Sequence, residues 1–121
     1  MKTRRQRRVA ELIQRELGDI IERELSDPRL AFISVTWVEM SSDLLSARVY
    51  ISQFGNEEQR DQVLPALQHA SGWLRHELAE RTRLRYIPKL DFRWDTALIE
   101  AQRIDTILDQ LQHQEEEELE T

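Results

Sequence analysis

The chain contains no cysteine, which excludes disulfides and thiolate-held metals and is compatible with a reducing compartment. No stretch approaches the roughly 20 apolar residues that a membrane-spanning helix needs. The amino terminus is basic, yet no apolar run follows it, so a signal peptide is not expected either. Glycine is scarce. Gly18, Gly55 and Gly72 are the only three, too dispersed for a glycine-rich phosphate loop. Histidine is equally scarce: around His69, His76 and His113 no carboxylate spacing resembles a metal site, and no nucleophile motif frames a serine. The expectation is a soluble cytoplasmic protein without catalysis, metal, cofactor or membrane partner. With 121 residues, 40% of them hydrophobic, there is material for one core and not two.

Charge is present in abundance but is segregated. The net charge of −6 includes five carboxylates in one terminal run, Glu115, Glu116, Glu117, Glu118 and Glu120, and the rest of the chain carries −1. Residues 113–121 therefore read as an acidic, disordered tail beyond a folded domain of residues 1–112. The cations cluster as well. Lys2, Arg4, Arg5, Arg7 and Arg8 precede the first acidic residue, and "RTRLRYIPK" holds Arg81, Arg83, Arg85 and Lys89 without a carboxylate. One short basic run is ordinarily a solvated helix end. Two such runs on one small domain point to a polyanionic partner.

Apolar periodicity places the elements. Val9, Leu12, Ile13, Leu17, Ile20 and Ile21 mark one face of a helix over about residues 4–25, with Gly18 a weak point or a close-packing site. "SDPRL" ends it, because Pro28 disfavours the helical conformation of Asp27. "AFISVTWVEM" and "LSARVYIS" follow as an antiparallel hairpin around the turn "SSDL". Ile33, Val35 and Trp37 should share the buried face with Leu45, Ala47, Val49 and Ile51, while Arg48 and Tyr50 point away. Asn56 is placed to cap the next helix with Gln59 in a capping-box arrangement. Pro65 within that helix marks either a bend or a late start. A further helix runs from Trp73 to about Arg81. "KLDFRWD" reads as a third strand, and Leu98–Leu111 as a final helix. The class is α+β, with helices on one face of a small three-stranded mixed sheet.

Between the two central helices stands Ala70-Ser71-Gly72, although glycine costs a helix about 1 kcal/mol relative to alanine. Two explanations are open: a sharp bend that needs the backbones close, or a left-handed helix cap at Gly72. Of the tryptophans, Trp37 and Trp94 alternate in phase with apolar strand neighbours and are expected in the core. Trp73, directly after Gly72, is the candidate for an exposed base-stacking ring.

The element order, with a glycine between paired helices, resembles the type II KH domain, in which a Gly-x-x-Gly loop carries nucleic-acid phosphates. This chain has no Gly-x-x-Gly. Its Ala70-Ser71-Gly72 step, together with "RVAELIQREL", "DPRL", "SARVYIS", "SGWLRHELAERTRLRYIPKLDF" and "RIDTILDQL", resembles the ribosome-binding factor A family of bacterial small-subunit maturation factors, over about residues 4–111. Gly18 and Pro65 depart from the pattern, and the acidic tail lies beyond it. The resemblance implies a monomeric, non-enzymatic protein that binds the 30S subunit and 16S rRNA, promotes 5′-end maturation, leaves before translation and matters for growth in the cold. The residues expected to contact RNA are Arg4, Arg5, Arg7, Arg8, Arg75, Arg81, Arg83, Arg85 and Lys89, since a guanidinium fork matches phosphate. Ser71 and Gly72 would add backbone groups at the helix kink. Two other classes stand beside this one: a protein-interaction module without RNA binding, and a small hydrolase with an unrecognised site.

Overall fold

The computed structural model describes residues 2–55, 57–97, 111 and 112. The expected cap at Asn56, most of the final helix and the acidic tail lie outside these residues.

Helix α1 (Arg4–Glu24) begins where Thr3 and Gln6 form a capping box, each side chain bonding the other's backbone N–H. That arrangement satisfies two donors that a helix start otherwise leaves open. Its apolar stripe, Ile13, Leu17, Ile20 and Ile21, is buried. The chain leaves α1 at Leu25 in an extended conformation, and Asp27 caps a single 3-10 turn, Pro28–Leu30. Strands β1 (Ile33–Met40) and β2 (Ser46–Gln53) form the expected hairpin. After a 3-10 turn, Glu57–Gln59, helix α2 (Arg60–His69) starts late and runs through the exposed Pro65. Helix α3 (Ser71–Arg81) follows, and β3 (Lys89–Trp94) pairs parallel with β2. The sheet order is β1-β2-β3.

Among the described residues the three helices cover one face of this mixed sheet. Ala47, Val49 and Ile51 of the central strand, each 0% exposed, meet Ile13 and Leu17 of α1, Val63 and Leu67 of α2, and Leu74 and Leu78 of α3 in one core. Leu90 and Phe92 extend that core along β3. Burial of each large apolar side chain is worth about 1.5–3 kcal/mol, so this layer and not helix propensity holds the fold.

Three sequence expectations are corrected. Trp37 is not in the core but 50% exposed. Val35 pairs with Ile51 and Trp37 with Tyr50, leaving Thr36 as the extra residue of a bulge. The bulge resets the two-residue alternation, so Val38 and Met40 turn inward and Trp37 turns out. Leu45, expected inward, lies before β2 begins and is 51% exposed. Leu44 packs on the core in its place, from a left-handed conformation with φ 63°.

The third correction concerns the helix junction. A single residue, Ala70, joins α2 to α3 in a right-handed helical conformation (φ −82°, ψ −3°). Gly72 is the second residue of α3, and its φ is not in the left-handed region. A Cβ built there meets nothing within 4 Å, and the same holds at Gly18. Neither the close bend nor the left-handed cap accounts for Gly72, and Gly18 is no close-packing site. Gly72→Ala should therefore stabilise the isolated protein, by roughly 0.5 kcal/mol from the lost freedom of the unfolded chain. A lower melting temperature for this variant would show a steric demand at the joint.

Candidate nucleic-acid interface

The amino terminus is tied to the end of β1. Lys2 Nζ donates to the Met40 carbonyl at 2.7 Å and lies 3.4 Å from a Glu39 carboxylate oxygen. Gln6, only 6% exposed, is buried with its side-chain oxygen accepting from the Thr3 N–H. With Gln6 facing inward, Arg4, Arg5, Arg7 and Arg8 all remain exposed around the first turns of α1. The start of β3 is tied to the same end of the sheet, since the Lys89 N–H donates to the Leu45 carbonyl at 2.9 Å. Between them the β1–β2 turn is held by Asp43, which accepts from the Ser41 hydroxyl at 2.6 Å and the Leu45 N–H at 3.0 Å. The hydroxyl first, then the backbone N–H, holds its carboxyl below the ordinary carboxylate value.

These ties bring the two basic runs together. On one side of the turn Arg5, Leu84, Arg85 and Tyr86 line a single hollow with Asp43 at its rim. On the other side Lys2, Arg48, Lys89 and Arg93 line a second, together with Glu39 and Asp91. Lys2 and Arg5 come from the first run, Arg85 and Lys89 from the second. Two of the three carboxylates are already engaged, Glu39 with Lys2 and Asp91 with Arg93 at 3.0 Å. The surface around the β1–β2 turn thus carries a local excess of cations on a chain that is acidic in total.

Arg75 and Arg81 stand apart from this surface. Arg75 donates from Nε to the Pro88 carbonyl at 3.1 Å and from Nη2 to the Ile87 carbonyl at 3.0 Å. Its fork pins α3 to the loop just before Lys89 and so positions β3. Arg81 is the last residue of α3, so it belongs to that helix, whereas Arg83 and Arg85 lie in the loop that follows. Its guanidinium reaches α1, donating to Asp19 at 2.6 Å and to Glu24, with Glu16 at 3.7 Å. These bonds raise the Arg81 pKa, Asp19 contributing first, and Arg81 in turn holds the Asp19 carboxyl low. Arg83, Arg85 and Lys89 are exposed.

Ser71 is half-buried and Gly72 exposed. Neither lines either hollow. Two cations that sequence reasoning does not place at the site belong to it, Arg48 and Arg93. Arg48 is expected on the outer face, but its neighbourhood depends on the parallel register that sets Ser46 beside Lys89 and Tyr50 beside Arg93. Local alternation carries no signal of a cross-strand partner so distant in the chain. Among the described residues no group of His, Asp or Glu is arranged to hold a metal ion.

A family model described as Ribosome-binding factor A matches residues 5–108 of this chain. The ribosome-binding factor A of Halothermothrix orenii is 42% identical over 120 residues, covering 99% of this chain and 98% of that one. The crystal structure of ribosome-binding factor A from Thermus thermophilus superposes with a TM-score of 0.64 at 34% identity, covering 73% of this chain and 93% of that one. A homology model of the Thermus thermophilus factor, fitted into the cryo-EM map of its complex with the 30S subunit, gives a TM-score of 0.61 at 34% identity, covering 72% and 91%.

Proposed function

The chain belongs to the ribosome-binding factor A family, and from that membership we propose that it binds the free 30S ribosomal subunit by gripping 16S rRNA. The observation that carries this reading is the convergence of Lys2, Arg5, Arg85 and Lys89 around the β1–β2 turn. Phosphates bridging that turn would meet both basic runs at once and release their counterions. Arg4, Arg7, Arg8 and Arg83 extend the exposed cationic surface. Arg75 and Arg81 act from behind it, holding the loop before β3 and the end of α3 in place. Ser71 and Gly72 stay in the proposal as backbone contacts at the start of α3, reached by a separate part of the RNA.

The mechanism requires no covalent chemistry. Binding favours one arrangement of rRNA helices over others, and the population shift lets 5′-end maturation proceed. A monomer acting in the cytoplasm, leaving before translation and needed most in the cold, where misfolded RNA helices escape slowly, fits this role. Co-sedimentation with 30S and 70S particles at several salt concentrations tests it. Enrichment on free 30S particles that weakens with salt is expected. Equal binding to 70S particles, or binding insensitive to salt, would overturn the reading.

A further inference from the structure

The outer face of the sheet, away from the helices, is ordered by strand register. Trp37 of β1 stands opposite Tyr50 of β2, which stands opposite Arg93 of β3. The next row is Glu39, Arg48 and Asp91, and the row beyond it pairs Ser46 with Lys89. The Trp37 and Tyr50 rings are stacked, with centroids 5.7 Å apart and planes at 28°. Trp37 leaves half its surface to solvent. Stacking on Tyr50 covers only part of the ring, whereas unbroken strand alternation would have placed Trp37 on the buried face with Ile33 and Val35. The bulge at Thr36 is what turns the ring out, and the Thr36 hydroxyl fastens the bulge by donating to the Tyr50 carbonyl at 3.2 Å. Bulges commonly re-aim a side chain in this way beside functional sites.

We propose that the Trp37–Tyr50–Arg93 row is a stacking platform for unpaired RNA bases. Aromatic rings and guanidinium planes are the two side-chain surfaces on which bases stack, and here they occupy one row across three strands. The charge around the row suits RNA. Arg48 and Lys89 lie one and two rows away, within the span of a nucleotide backbone, while Asp91 pairs with Arg93 and Glu39 with Lys2. The second hollow beside the β1–β2 turn is lined by these same cations, so a strand held there by its phosphates can lay its next bases on the platform. The inference rests on the rRNA-binding reading and adds to it the chemical form of the RNA: single-stranded, read by stacking and not by phosphate contacts alone.

The test compares the parent chain with Trp37→Ala and Trp37→Phe, using a short unstructured oligoribonucleotide and 30S particles as ligands. Alanine should weaken oligonucleotide binding about fivefold to a hundredfold, the range for loss of one base–aromatic stack, and leave the salt slope unchanged. Phenylalanine should restore most of that affinity. Oligonucleotide binding should quench tryptophan emission in the parent, and the quench should largely vanish in Trp37→Phe, a readout that holds even if the alanine variant folds poorly. If the parent binds neither ligand, the rRNA reading itself fails. If the parent binds RNA but both variants match it and the quench persists, the platform fails while the rRNA reading stands. Loss of 30S binding with oligonucleotide binding intact would mean that the row meets a ribosomal protein, which also overturns the proposal.

Discussion

Replacing Arg5 and Arg85 together with glutamate should lower affinity for the 30S subunit by on the order of a hundredfold at moderate salt, and flatten its log-log salt dependence by about two units. The two residues lie far apart in the sequence yet line one hollow, so a phosphate seated between them would lose both partners. Two new carboxylates would also join Asp43, whose own carboxyl stays ionised to lower pH than usual under the Ser41 hydroxyl and Leu45 N–H. Each single replacement should give an intermediate loss. Both side chains are exposed, so the melting temperature should change little. Measuring 30S affinity at four or five salt concentrations decides the matter. A folded double variant with the parent's affinity and slope would show that the first hollow is not where RNA binds.

Arg81→Glu should instead attack the fold. Arg81 sits among three carboxylates of α1, Glu16, Asp19 and Glu24, and its side chain is only 24% exposed. Charge reversal would place a fourth carboxylate where a cation from α3 now stands, pushing the ends of α1 and α3 apart. The melting temperature should fall further than for any glutamate replacement among Arg4, Arg5, Arg7, Arg8, Arg83 and Arg85. The pH dependence carries a second signature. The Asp19 carboxyl is lowered from its ordinary 3.8, first by the Arg81 hydrogen bond. Its stabilisation is therefore complete above the unfolded value and is lost as pH falls through the folded one. In Arg81→Met that acid-dependent loss, below about pH 4, should shrink. In Arg81→Glu the deficit relative to the parent should narrow on acidification, as protonation relieves the repulsion. Thermal melts at neutral and acid pH would show this; a pH-independent deficit in both variants would mean that Arg81 acts by packing alone.

How much of this is legible in the sequence depends on the range of each interaction. The α1 stripe, the hairpin and the β3 alternation are local patterns of period 3.6 or 2, and all three correspond to elements of the fold. The capping box of Thr3 and Gln6 is equally local, four consecutive residues, but the arginines around it mask its signal. Trp37 departs from expectation for a different reason. A bulge is set by how β1 meets β2, and nothing in "ISVTWVEM" alone marks Thr36 as the extra residue. Arg81 reads as part of a uniform basic run, whereas its position at the end of α3 delivers it to carboxylates on a helix some sixty residues earlier. The site is half legible: which residues are cationic is written in the chain, but which of them line the two hollows depends on the parallel register and on what the other side chains hold.

The placement of β3 also bears on the order in which the surface is completed. β1 and β2 are joined by a short turn and can pair early, whereas β3 must return to β2 across residues 54–88, a segment that includes both α2 and α3. Closing that long segment before any ladder bond rewards it should make docking of β3 the slow, non-local step of folding. Lys89 and Arg93 ride on this strand, and in the folded chain Arg75 holds the carbonyls of Ile87 and Pro88 just before Lys89. In pulse-labelled hydrogen exchange the amides of residues 90–94 should gain protection after those of 47–52. A nascent or half-folded copy would then carry the basic first helix without the opposing strand, and the cationic surface around the β1–β2 turn would be complete only in the finished fold.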